Sequence, residues 1–125
     1  MNTAIYNTKK TYNRYDDGRF LLYLNEEIIE NYVPEDAEPD TDPITAYKYT
    51  GSFPDGGTLI EAKSDTYEDF VSGLVRTRYS ADQVEAILLN IQSNNPERMA
   101  EFENELNQLN DFRDECKLIA SMLFE

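Results

Sequence analysis

Carboxylates are the side chains of this sequence that could carry chemistry. Aspartate and glutamate together supply 25 of its 125 residues. Some of them are adjacent, as in Asp114-Glu115, but neighbouring side chains point in different directions in a helix or a strand, so adjacency does not predict a shared site. Glu101 and Glu105 lie one helical turn apart, a spacing compatible with a divalent cation, although a solvated helix face is the simpler interpretation.

The residues of the common nucleophilic and metal-binding sites are missing. The sequence has no histidine and one cysteine, Cys116. This composition excludes Ser-His-Asp and Cys-His catalytic arrangements, an intrachain disulfide and a Cys-x-x-Cys metal site. Cys116 falls on the apolar stripe of a predicted helix, so we interpret it as a small core residue. The sequence therefore predicts no catalytic residue, no cofactor and no metal site, and we expect that the protein is not an enzyme.

The net charge of −14 restricts the class of partner. Proteins bind nucleic-acid backbones through clustered lysine and arginine, so we expect no direct nucleic-acid binding. Excess acidic charge is most simply a solvated surface, and the alternative is imitation of nucleic-acid phosphates. No apolar run approaches the ~18 residues of a membrane span, and the first residues lack the apolar core of a signal peptide. We expect a protein that is kept in a cytoplasm or packed into a particle assembled there, without membrane contact.

The first half of the chain is predicted to form an antiparallel β-sheet over roughly residues 10–62. Asp17-Gly18 separates two runs rich in β-forming residues, and the glycine supplies the positive φ that a hairpin turn requires. The second run is almost continuously apolar, which favours a strand covered on both faces. The remaining predictions are an arm or edge strand within 1–11, a strand or helical turn at 26–32 with the strand favoured, and strands at 44–50 and 58–62.

Segment 34–43 is predicted to be an exposed acidic loop. Three prolines interrupt it, and eight acidic residues but no basic one lie between Glu26 and Asp42. Asp40 and Asp42 alternate as calcium ligands do, but the segment lacks the frame of an EF-hand. An ion and a basic partner are both compatible with this loop.

Two short helices are predicted after the strands. Asp65 is placed to cap the first helix, and Gly73 on its apolar face indicates the close approach of another element. Ser80 and Gln83 have the spacing of a capping box for the second helix. The flanking apolar residues Tyr79 and Val84 are placed to form a hydrophobic staple.

A third, longer helix is predicted to begin with Asn95 as its cap and Pro96 as its first residue, and to extend to about Phe124. Its apolar residues recur every three or four positions over about seven turns. This stripe either packs within the domain or extends beyond it and pairs with another chain. The stripe consists of Met99, Phe102, Leu106, Leu109, Phe112, Cys116, Ile119 and Leu123.

Two motifs of the helical half carry a resemblance to a known group of proteins. An Arg-Tyr-Ser-x-Asp motif at 78–82 precedes an aliphatic helix, and a Phe-Arg-x-Glu-Cys-Lys motif occupies 112–117. Through this pattern, residues 66–120 resemble small acidic proteins of tailed bacteriophages and prophages, which tend to be encoded among virion structural and tail genes. The resemblance implies a component of a phage particle or an assembly accessory, located in the virion or in the bacterial host cytoplasm, and not a catalyst.

These expectations combine into one α+β domain over 1–125, with a β-rich part at 10–62 and a helical part at 65–124. Our leading hypothesis is a non-enzymatic phage structural or assembly protein that docks onto another virion protein of the capsid or tail. The alternatives are a homo-oligomer formed through the long helix, an acidic nucleic-acid mimic that inhibits a host defence protein, and a carboxylate-based metal hydrolase. The predicted partner-binding residues are Phe102, Leu106, Leu109, Phe112, Arg76 and Arg78.

Overall fold

Six strands precede three helices along the chain, and the computed structural model describes all 125 residues. The strands are followed by two short helices and one long helix, so the predicted α+β class is confirmed. Segment 34–43 contains turns but neither helix nor strand, as predicted. The elements are β1 (Asn2–Tyr6), β2 (Tyr12–Asp16), β3 (Arg19–Tyr23), β4 (Glu27–Tyr32), β5 (Ile44–Gly51), β6 (Gly57–Glu61), α1 (Tyr67–Arg76), α2 (Ala81–Gln92) and α3 (Met99–Leu123).

The strands form two three-stranded sheets, a division that the sequence did not predict. In the first sheet, β5 lies between β1 and β4 and pairs with both in antiparallel register. The second sheet has the order β2-β3-β6, and β2 and β3 form the predicted hairpin. Gly18 in the hairpin turn has φ +92°, the left-handed conformation for which glycine is suited. Segment 26–32 is the strand β4, which confirms the favoured interpretation.

The contacts divide the chain into two compact units, Met1–Leu59 and Ile60–Glu125. The boundary falls within β6, close to the predicted change from β-rich to helical sequence. We call these the strand unit and the helical unit. None of the helices is both long and apolar enough to cross a membrane.

Three tyrosines meet in the interior of the strand unit. The ring centroids of Tyr6, Tyr23 and Tyr49 are 5.8–6.2 Å apart, and the Lys10 ammonium lies 4.4 Å from the centroid of Tyr6. The Tyr49 hydroxyl donates to the carboxylate of Glu26 at 2.8 Å and accepts from the backbone N–H of Lys10 at 2.9 Å. Burial raises the pKa of Tyr49 to about 12, and the Glu26 carboxylate reinforces this effect while the Lys10 N–H opposes it. These contacts connect the segment after β1 to β5.

The first residues of the helices agree with the sequence prediction only for α2. There, Ser80 and Gln83 form the predicted capping box, with hydrogen bonds of 3.0 and 2.8 Å. The cap of α1 is Thr66 and not Asp65, because the Thr66 hydroxyl accepts the backbone N–H of Asp69.

The long helix α3 begins at Met99, later than predicted. The Asn95 side chain accepts the backbone N–H of Glu97, and the Asn95 carbonyl accepts the N–H of Arg98 at 3.2 Å. Asn95 therefore caps a separate turn at 96–98, and the helix follows that turn with Arg98 at its N-cap position.

The helical unit is held together by one apolar stripe of α3, which packs against the shorter helices. Both halves of α3 contribute buried side chains, so the far half does not project from the unit. Gly73 of α1 permits a close approach, as predicted, since a Cβ there would lie 2.5 Å from the Glu61 carbonyl oxygen. The buried side chains of α3 are Phe102, Leu109, Cys116, Ala120 and Leu123.

Candidate interaction surface of the helical unit

The predicted partner-binding residues of α3 differ in accessibility. Phe102 and Leu109 are only 4% and 5% exposed, so both belong to the core of the helical unit. Leu109 reaches the surface only at the bottom of the groove described below, and Phe102 does not line that groove. Leu106 and Phe112 are half-buried. The apolar stripe was correctly located, but several of its residues are buried within the chain itself.

Phe112 lies in a small aromatic cluster at the junction of α1 and α2. Its ring centroid is 5.9 Å from that of Tyr79, and the Arg78 guanidinium stacks over it at 4.9 Å. A cation held over an aromatic face is stabilised by the ring quadrupole. Arg78 is thus engaged within the helical unit, where its guanidinium lies over the ring of Phe112.

Arg76 does not belong to this aromatic cluster but lines a separate cavity, which we call the cationic groove. Two further cations line this groove, Arg113 and Lys117, which are one helical turn apart on α3. The cavity has a volume of about 290 Å³, and Glu68 is the one carboxylate among its lining residues. The complete lining is Tyr67, Glu68, Val71, Ser72, Val75, Arg76, Val84, Leu109, Arg113 and Lys117.

The floor of the cationic groove is apolar. Val71, Val75 and Leu109 are buried, and Val84 is half-buried on α2. Three helices therefore build the groove, with aliphatic side chains below and positive charges at the rim. Such a site can bind an anionic group and an adjacent apolar side chain together.

Exposed leucines and a methionine lie outside the groove. Leu118 and Met122 of α3 are 67% and 60% exposed, and they lie one turn apart on the side of the helix opposite to Cys116. Leu88 and Leu89 of α2 are also exposed, and α2 has no buried side chain. The helical unit therefore exposes two separate pairs of apolar side chains outside the groove, one on α3 and one on α2.

Cys116 has the properties of a core residue. Its side chain is buried on α3, and this burial raises the pKa of its thiol to about 11. The thiolate, which is the nucleophilic form, is therefore strongly disfavoured at neutral pH. No group of three or more cysteine, aspartate and glutamate side chains is arranged to hold a metal ion.

Sequence reasoning grouped Arg76 with Arg78 and did not identify Arg113 or Lys117. The structure separates the first two, because Arg78 stacks on Phe112 and Arg76 lines the cationic groove. The spacing of Leu109, Arg113 and Lys117 at i, i+4 and i+8 was a usable signal, since it places one leucine and two cations along one side of the helix.

The fold and this surface define a class: an acidic α+β protein whose helical unit presents a cationic groove with an apolar floor. Comparison of the chain with protein families, with curated proteins and with solved structures finds no match.

Proposed function

We propose that the chain is a non-enzymatic docking protein, a bacteriophage structural or assembly accessory that attaches to another virion protein through its helical unit. The observation that carries the proposal is the cationic groove. Three cations surround an apolar floor there, in a chain whose net charge is −14. Surfaces that combine an apolar centre with a charged rim are characteristic of protein–protein contacts.

The chemistry of the side chains supports binding over catalysis. The chain has no histidine, and its single thiol is buried with a raised pKa. Among the carboxylates, Asp16 and Glu101 have pKa values below their usual range because each accepts hydrogen bonds from an arginine. Both carboxylates are therefore stabilised as anions, and neither has the raised pKa of a general acid.

The assignment to a phage particle depends on the resemblance of residues 66–120 to small acidic phage proteins. Mass spectrometry of purified particles and of their assembly intermediates tests it. We expect the protein in at least one of these fractions, in a constant ratio to the structural protein that it contacts. Its absence from all of them would refute the structural or assembly role.

A further inference from the structure

We propose that the cationic groove binds an acidic peptide segment of the partner protein, with an aliphatic side chain of that segment inserted against the groove floor. This inference rests on the proposed docking function and specifies the chemistry of the partner. A positive site in this chain is informative, because the chain has 25 carboxylates with which its 11 lysines and arginines could pair.

Two of the three groove cations form no ion pair, whereas two arginines elsewhere in the chain are strongly engaged. Arg19 and Arg98 form bidentate hydrogen bonds with nearby carboxylates. Arg76 and Arg113 have no ion pair.

Lys117 contacts Asp114 at 3.7 Å, with both side chains well exposed. Such a pair is a weak interaction that a ligand can replace.

The three cations converge from two helices. Arg76 is in the last turn of α1, and Arg113 and Lys117 line the groove from α3. A segment lying in the groove would meet positive charge from both helices, with Glu68 as the one opposing carboxylate of the lining. Arginine forms bidentate hydrogen bonds with carboxylates, so the two guanidinium groups favour aspartate or glutamate in the ligand.

The apolar floor distinguishes an acidic peptide from a nucleic acid. A phosphate backbone has no apolar group to pack against the groove floor of Val71, Val75 and Leu109. A leucine or isoleucine side chain of a peptide can pack there. The remaining negative charge of the chain opposes any anionic ligand, and it opposes a long nucleic acid over more of the surface than it opposes a short peptide. Charge and apolarity together therefore select an acidic segment with an aliphatic anchor.

Fluorescence anisotropy with labelled peptides tests this inference on the full-length protein. The probe is the peptide EDELLEDE, and the peptide EDEGGEDE has the same charge without the aliphatic anchor. We expect EDELLEDE to bind with an affinity that falls as salt is raised, and EDEGGEDE to bind about tenfold more weakly, because two leucines lose their apolar contacts.

The variant Arg113→Gln/Lys117→Gln removes two groove cations. We expect it to bind EDELLEDE about tenfold more weakly, the sum of two exposed charge interactions. The matched control is Lys9→Gln/Lys63→Gln, which makes the same change in net charge at exposed residues outside the groove. We expect this control to bind within about twofold of wild type. Unchanged far-UV circular dichroism shows that both variants are folded.

Three results would overturn the inference: no binding of EDELLEDE to wild type, an equal loss in the two double variants, or equal binding of EDEGGEDE. Tight binding of a single-stranded oligonucleotide through Arg113 and Lys117 would overturn it in favour of a general polyanion site. The docking function is judged separately by mass spectrometry of particles. If the protein is found in particles but does not bind EDELLEDE, the docking function stands and the groove assignment fails. If the protein binds EDELLEDE but is absent from particles, the groove assignment stands and the phage assignment fails.

Discussion

Replacing Tyr49 by phenylalanine removes one hydroxyl from the interior of the strand unit without changing the size of the ring. That hydroxyl accepts the backbone N–H of Lys10 at 2.9 Å and donates to Glu26 at 2.8 Å. The variant leaves a partly buried N–H without its partner and removes one donor from a carboxylate. An unsatisfied buried donor costs about 1–3 kcal/mol, so we expect the free energy of unfolding to fall by about 2 kcal/mol.

The pKa of Tyr49 gives a second, independent expectation. Its value in the folded protein is about 12, above the ordinary value of 10.0, so the folded state holds the proton more tightly than the unfolded state. The stabilising contribution is complete below pH 10 and is lost as the pH rises through about 12. The difference between the two pKa values corresponds to at most about 3 kcal/mol.

Urea unfolding followed by far-UV circular dichroism measures both effects. The matched control is Tyr47→Phe, on the same strand, for which we expect a change within about 0.5 kcal/mol. The stability difference between wild type and Tyr49→Phe should shrink between pH 10 and pH 12, because only the wild type has this group to ionise. If the two stability profiles stay parallel over this range, the assigned environment of Tyr49 is wrong.

Three further predictions concern the helical unit. Gly73→Ala places a Cβ 2.5 Å from the Glu61 carbonyl oxygen, so urea unfolding should show a loss of about 1–3 kcal/mol; an unchanged midpoint would contradict the close approach. Ser80→Ala removes the side-chain acceptor of the capping box and should lower the free energy of unfolding, measured in urea, by about 1 kcal/mol. The control Ser72→Ala, at an exposed position inside α1, should not lower it. Cys116 should react with a thiol reagent only after denaturant is added, as monitored by absorbance at neutral pH; rapid labelling of the native protein would show that the thiol is accessible.

Local sequence signals predicted the elements well. The Asp17-Gly18 turn, the continuous apolar run of β3 and the Ser80–Gln83 capping box each depend on a few neighbouring residues, and each is present. The first residue of α1 was wrong because Asp65 and Thr66 are both able to cap a helix. The first residue of α3 was wrong because Asn95 caps a separate turn at 96–98, and the helix begins only after that turn.

The interaction surface was harder to predict because it depends on which helices contact one another. A periodic apolar stripe does not reveal whether its own chain or a partner covers it. Here α3 packs on α1 and α2, and Phe102 and Leu109 are buried within the chain. The cationic groove joins Arg76 to Arg113, residues that are far apart along the chain. Their proximity follows from the packing of α1 on α3, which no local pattern specifies.

The absence of buried side chains in α2 has a consequence for its dynamics. The aliphatic side chains of α2 are at most half-buried, so this helix should require less free energy to open than α1 or the buried turns of α3. Its amide hydrogens should therefore exchange with solvent sooner. Val84, which contributes to the wall of the cationic groove, belongs to this helix. Any molecule seated in the groove would therefore slow deuterium uptake along α2, and the size of that protection would report its occupancy.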